Sequence, residues 1–199
     1  MTEEFGREFW EERYRGHAAM GERGPSPYLV AETADLEPGT ALDAGCGEGA
    51  SAIWLASRGW QVTAVDIAAA ALDLAREHAR GTGAQVDWIQ ADLTTWTPPE
   101  GHFGLVCAHY VHPAGSRQAL LGKLAAATAP GGTLLIVGHS AGHDASAPAV
   151  HVSPAELAAA LDPARWHVCV TEPPARHASA HDGHEVPLHD VVLRARKPR

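Results

Sequence analysis

The sequence predicts a three-layer, doubly wound α/β fold around a seven-stranded, mostly parallel sheet that ends in an antiparallel C-terminal hairpin. Three observations lead there. From residue 40 onwards short apolar runs alternate with helix-like stretches, the pattern of strand–helix–strand units. The first apolar run ends in a glycine-rich turn that opens directly into a helix. The last two runs have no helical pattern between them, so they pair antiparallel instead of through a crossover.

The elements follow in order. Residues 3–20 read as a helix with Phe5, Phe9, Trp10 and Tyr14 roughly on one side, stopped by the breaker cluster from Gly21 to Pro27. Thr40 to Asp43 is the first strand, Ala50 to Arg58 a helix closed by Gly59, Gln61 to Asp66 the second strand, and Ala68 to Arg80 a helix closed by Gly81. Val86 to Gln90 and Phe103 to Ala108 are the third and fourth strands. Ser116 to Thr128 is a helix closed by Pro130-Gly131-Gly132, and Thr133 to Val137 is the fifth strand. A short helix from Pro154 to Leu161 precedes the final pair, Trp166 to Val170 and Leu188 to Ala195, joined by a Pro- and His-rich connection. The reading is a single domain, 1–199, with residues 1–35 as an N-terminal helix and lid and 36–197 as the core.

Composition narrows the function. A chain of 199 residues that is 45% hydrophobic and 20% charged can bury a sizeable core. Lys+Arg 15 against Asp+Glu 24 leaves a charge of −9, which repels phosphate backbones and argues against a nucleic-acid partner. No apolar run reaches about 18 residues and no basic start precedes an apolar stretch, so neither a membrane partner nor a secretory signal is expected. The three cysteines, Cys46, Cys107 and Cys169, have no paired spacing and suit a reducing cytoplasm.

The central signal is Leu42-Asp43-Ala44-Gly45-Cys46-Gly47-Glu48-Gly49, between a strand and a helix. Glycines there allow a tight turn and close approach of a ligand to the main chain, and the helix start adds free N–H groups. Asp66 ends the second strand, where a carboxylate can accept both hydroxyls of a ribose. Gly45-x-Gly47-x-x-Ala50 also satisfies the dinucleotide fingerprint, so an NAD-dependent oxidoreductase is the rival reading. Three features oppose it. Asp43 would repel a pyrophosphate and attract an ammonium, Asp92 suits an adenine amino group, and the last strands pair antiparallel.

Together Asp43-Ala44-Gly45-Cys46-Gly47-Glu48-Gly49, Val65-Asp66, Ala91-Asp92-Leu93 and Ala129-Pro130-Gly131-Gly132 resemble the class I S-adenosylmethionine-dependent methyltransferases, over about residues 36–197. Phe9-Trp10-Glu11-Glu12-Arg13-Tyr14 resembles the N-terminal helix of small members, including the tellurite-resistance and thiopurine-type enzymes. The resemblance implies S-adenosyl-L-methionine as cofactor and S-adenosyl-L-homocysteine as product. Asp43, Gly45, Cys46 and Gly47 would cradle the methionine part, Asp66 would bind the ribose, and Asp92 and Leu93 would meet the adenine. Ile67 would pack on the adenine face, and Tyr14 would cover the cofactor. Gly104 departs from the family's Phe-Asp-x-Val strand. A binding module without turnover is the non-enzymatic rival.

Methyl transfer from a sulfonium is a direct displacement that needs a base only when the nucleophile carries a proton. The acceptor would enter over the carboxyl ends of the first, fourth and fifth strands, among Pro25–Tyr28, His109–Pro113 and His139–Asp144. His109 is the candidate base, lying nearest the cofactor, and Tyr28, His112, His139 and His143 are candidate substrate-binding residues. Thirteen histidines invite a metal reading, yet they lie in loops without H-E-x-x-H spacing, so no metal is expected. Cys107 and Cys169, in strands, and Trp54, Trp60, Trp88 and Trp166 read as packing residues, and the Arg194–Arg199 tail as a solvated end. A small-molecule acceptor fits best. The resemblance of the N-terminal start to tellurite-resistance and thiopurine-type enzymes implies a soft nucleophile such as a thiol or chalcogen, with carboxylate, hydroxyl and amine acceptors open and the oligomeric state unset.

Overall fold

A computed structural model describes residues 5–16, 24–140, 151–179 and 185–199. Strands β1 (Thr40–Ala44), β2 (Gln61–Asp66), β3 (Val86–Gln90), β4 (Phe103–His109), β5 (Thr128–His139), β6 (His167–Thr171) and β9 (Asp190–Arg196) form one sheet. Its order is β3-β2-β1-β4-β5-β9-β6. The first five strands run parallel, and β9 slots antiparallel between β5 and β6. The helices are α1 (Arg7–Gly16), α2 (Pro27–Glu32), α3 (Ala50–Ser57), α4 (Ala69–Arg80), α5 (Arg117–Ala127) and α6 (Pro154–Ala159).

Side chains alternate across each strand, so neighbours feed opposite layers. Leu42, Val106, Leu134 and Leu193 join Leu120 and Leu124 of α5 and Leu157 of α6 in one cluster. Ala41, Leu105, Leu135 and Val192 join Leu55 of α3 and Leu29 of α2 in the other. The carboxyl ends of β1, β2 and β4 meet at one rim of the sheet, where open α/β sheets bind their ligands.

Four expectations are corrected. Helix α2 went unread because Pro25 and Pro27 look like breakers, whereas Pro27 sits in the first turn, where its missing N–H costs nothing. The Pro130-Gly131-Gly132 segment lies inside β5 instead of ending a helix. A Cβ on Gly132 would come within 2.9–3.0 Å of three backbone oxygens, and the N–H of Gly131 donates to the carbonyls of Lys197 and Pro198. The connection before β9 carries a further two-stranded pair, β7 (Arg176–Ser179) with β8 (Glu185–Leu188). Cys169 is exposed because its strand lies at the sheet edge.

The basic tail is also anchored. Arg194 grips Asp35 through two contacts of 2.7 and 2.8 Å, and Lys197 donates to the carbonyl of Thr128. Among the described residues, no helix is long and apolar enough to cross a membrane.

Candidate active site

The glycine loop hangs from the end of β2, since the N–H groups of Gly45 and Cys46 both donate to the carbonyl of Val65. Its conformation demands glycine: φ is +74° at Gly45, +53° at Gly47 and +82° at Gly49. A Cβ on Gly45 would strike the side chain of Val111, and one on Gly47 would sit 2.8 Å from the Tyr14 hydroxyl. One on Gly49 would meet Trp88 and Ala75. The first two glycines therefore let Val111 and Tyr14 close against the loop, and the third lets α3 pack closely.

Asp66 accepts from the N–H of Gly47 at 2.8 Å and of Ala68 at 3.0 Å, tying the loop to the start of α4. Burial raises its pKa, and those backbone bonds oppose the rise. Asp43 is more deeply placed. Burial pushes its carboxyl up to about 7, against the pull of the Cys107 thiol and with help from the Asp66 charge. Among the described residues its buried Oδ2 has no partner. Burial also raises the thiols of Cys46 and Cys107. Asp43, Cys107 and His109 bring their polar atoms within 4.8 Å of one another. Among the described residues the buried Nε2 of His109 has no partner, and burial lowers this histidine to about 4.

Asp92 uses Oδ1 to accept from both the N–H and the hydroxyl of Thr94. Beneath that turn Lys123 donates to the carbonyls of Leu93, Thr94 and Trp96. Helix α1 closes over the loop. Buried Glu11 accepts from the N–H groups of Ala69 and Ala70 at 2.7 and 3.2 Å, so the lid caps the start of α4. Burial, then the charges of Asp66, Cys46 and Glu48, hold the Tyr14 phenol well above its ordinary value.

Beyond the loop the walls turn aromatic. Trp10 lies nearly parallel to His112, with ring centres 6.3 Å apart, and Phe5 packs on the same imidazole. Burial, then the neighbouring His139, lowers His112 to about 4. Tyr110 adopts a left-handed φ of +55° and stacks on His139 at 4.5 Å. Three groups converge on Asp190: the hydroxyls of Tyr28 and Tyr110 at 3.0 and 3.1 Å, and Nδ1 of His139 at 3.1 Å. Asp190 is buried at the start of β9.

A single cavity of about 1130 Å³ connects these parts. Asp43, Gly45, Cys46, Gly47, Asp66, Ile67, Asp92, Leu93 and Tyr14 line it, as do His109, His112 and His139. Tyr28, expected to touch substrate, instead directs its hydroxyl to Asp190. Trp54, expected only to pack, also lines the cavity, with Arg58 over its ring. His143 lies outside the described residues. Sequence reading missed Asp190, Glu11 and Lys123. The one local sign for Asp190 was an acid opening an otherwise buried apolar run, Asp190-Val191-Val192-Leu193.

Comparison with known proteins now decides the family. Residues 41–132 match the model of a methyltransferase domain. Over 151 residues the chain is 30% identical to the 2-heptyl-1-hydroxyquinolin-4(1H)-one methyltransferase of Mycobacteroides abscessus, covering 69% of this chain and 66% of that one. The chain belongs to the class I S-adenosylmethionine-dependent methyltransferases. It is also 34% identical over 116 residues to the trans-aconitate 2-methyltransferase of Paracidovorax citrulli, covering 56% of this chain and 43% of that one. A solved structure described by the conversion of a disulfide bond into a thioacetal group during echinomycin biosynthesis superposes with a TM-score of 0.74. That likeness has 26% identity and covers 96% of this chain and 92% of the other. Matches thus span about two thirds of the first curated relative and less than half of the second.

These likenesses support the family as a whole, not the tellurite-resistance or thiopurine-type members in particular. The dinucleotide reading of the glycine fingerprint falls with them, and the cofactor is S-adenosylmethionine. The residues of this methyltransferase fit that group. Among the described residues the buried Asp43 oxygen has no partner, which suits a donor such as an ammonium, and a Cβ on Gly45 or Gly47 would crowd Val111 and Tyr14, which line the same cavity.

Proposed function

We propose that the chain transfers a methyl group from S-adenosylmethionine to a small-molecule acceptor. The observation that carries this is the size and lining of the cavity. At about 1130 Å³ it exceeds the roughly 300–1,000 Å³ of a pocket for one drug-sized ligand. Acids and the glycine loop line it together with the rings of Trp10, Tyr110, His112 and His139. The charge of −9 favours a small acceptor over a nucleic acid. The acceptors in the relatives' names, a hydroxyquinolone and trans-aconitate, agree with that size.

Bound S-adenosylmethionine supplies an activated methyl group on a sulfonium. The chain's part is binding, orientation and exclusion of water. Asp43 receives the ammonium, the main chain of the glycine loop backs the methionine part, and Asp66 keeps lone pairs for the ribose beside its two backbone bonds. Asp92 and Leu93 meet the adenine, and Ile67 covers its face. Tyr14, held neutral on a lid that Glu11 docks, shuts water out. His109 borders the methionine end as a neutral imidazole. A base depressed to about 4 is poorly matched to neutral pH, so its part there is hydrogen bonding.

The test is thermal unfolding with S-adenosylmethionine, S-adenosylhomocysteine and NAD added separately. At about 100 times Kd a native-state ligand adds roughly 2.7 kcal/mol, or about 5–11 °C for a chain of this size. Shifts with both sulfur nucleosides and none with NAD are expected, followed by transfer of a labelled methyl group to a panel of small acceptors. A shift with NAD alone refutes the reading, and binding without transfer to any acceptor makes the chain a binding module.

A further inference from the structure

We infer that His139, oriented by Asp190, is the catalytic base of this site, and that it takes the proton from a hydroxyl on a planar aromatic acceptor. The inference rests on the methyltransferase reading above and deepens it.

The geometry begins with Asp190. Its carboxylate is buried on β9, in register opposite His139 on β5, and accepts from three directions. A carboxylate only accepts, so its bond to His139 places the imidazole proton on Nδ1. The opposite ring edge, with Nε2, is left as an acceptor. His139 remains 29% exposed and lines the cavity, while the Asp190 side chain is fully enclosed. The tyrosine hydroxyls of α2 and of the loop after β4 also donate to the carboxylate and fix its orientation. Asp190, Tyr28 and Tyr110 are thus positioning residues.

Four rings set the acceptor's shape. Tyr110 and His139 lie 29° apart in plane, His139 and His112 22°, and His112 and Trp10 only 8°. A row of near-parallel aromatic planes favours a flat ring that stacks in the same orientation. Among the described residues the titratable groups around His139 include Asp190, Tyr110, His112 and His151, which is bridged to its backbone, with Tyr28 reaching it through Asp190.

The step balances. As the acceptor oxygen's electron pair forms the bond to the methyl carbon, its proton passes to Nε2 of His139. The methyl–sulfur bond breaks with its electron pair on sulfur, which leaves as a neutral thioether. Asp190 compensates the imidazolium, which returns its proton to water after release.

The experiment has three readouts. Calorimetry with S-adenosylhomocysteine comes first: wild type, His139→Gln and Asp190→Asn are expected to bind within about threefold of one another. Absence of binding by the wild type sinks the underlying reading, not this one alone. Long-range nitrogen NMR on ¹⁵N-histidine-labelled complexes then reads the tautomer. His139 is expected as Nδ1–H in the wild type and as Nε2–H in Asp190→Asn, whose amide would donate to Nδ1. An Nε2–H wild type, or no change in the variant, overturns the inference. Finally, methyl transfer at pH 8.5 is compared for 4-methylphenol, which is protonated there, and 4-nitrophenol, which is already ionised. His139→Gln should lower kcat for the first by about 10²–10⁴-fold with KM little changed, and for the second by less than about threefold. Equal losses overturn it, as does turnover of neither phenol by a wild type that binds S-adenosylhomocysteine.

Discussion

Replacing Asp43 with Asn separates the role of this carboxyl in binding from its effect on folding. Burial holds it at about 7 in the folded chain, against an ordinary 3.8. The folded state therefore binds this proton more tightly than the unfolded chain does. Ionisation costs stability: the cost is absent well below pH 3.8, grows as pH rises towards about 7, and is constant above. Its full size is about 4 kcal/mol, at 1.36 kcal/mol per pH unit between the two values. Close to half is already present at pH 5.5, so about 2 kcal/mol accrues between pH 5.5 and 8.5.

Asp43→Asn has no proton to lose. Its stability relative to wild type, without cofactor, should rise by about 2 kcal/mol over that interval, or about 4–8 °C in Tm. Comparing the two proteins at each pH cancels other titrations, including those of His109 and His112. Denaturant unfolding of both chains at pH 5.5 and 8.5 measures it. The same substitution should weaken S-adenosylmethionine binding, because the ammonium loses its counter-charge, and wild-type affinity should rise as pH increases through about 7. A pH-independent difference in stability, or unchanged affinity at pH 8.5, refutes the reasoning.

Three further outcomes are expected. Asp66→Ala removes the ribose acceptor and the anchor of the Gly47 N–H, so S-adenosylhomocysteine should bind about 100-fold more weakly by calorimetry, on about 1.5–3 kcal/mol per hydrogen bond to a charged group; near-wild-type affinity removes the ribose assignment. Gly47→Ala puts a Cβ into a left-handed residue and against the Tyr14 hydroxyl, with backbone strain of about 1–2 kcal/mol, and should cost about tenfold or more in affinity. Adding Tyr14→Phe should recover part of that loss, and a purely additive double variant contradicts the steric account. Glu11→Ala uncaps two N–H groups of α4 and should lower stability by about 1–2 kcal/mol and loosen the lid, seen as faster proteolysis near residues 5–16; unchanged cleavage means that Glu11 does not dock it.

Much of the cofactor end was legible because its signals are local. A strand, a turn that only glycines can make, a helix and an acid at the next strand's end stand within residues 40–66, and each follows from backbone geometry. The acceptor end was not legible in that way. His139 meets Asp190 across 51 positions, Tyr28 meets it across 162, and Glu11 reaches α4 across 58. In sequence Asp190 is one acid before an apolar run. It becomes a hub only because β9 inserts antiparallel beside β5 and faces it with His139. The same long-range pairing explains why Pro130-Gly131-Gly132 runs inside a strand: its neighbours are Lys197 and Pro198, far along the chain.

Fold class, the alternation that builds it and the tight turn of the glycine loop are legible along the chain. Periodicity, turn residues and strand-end acids act between neighbours, so one dimension suffices to read them. Which histidine hydrogen-bonds a carboxylate, and which has a buried nitrogen without a partner among the described residues, depends on how the sheet closes. Those roles depend on desolvation and on partners from distant strands, and His109 and His139, each at a strand's end, look alike until the sheet closes around them.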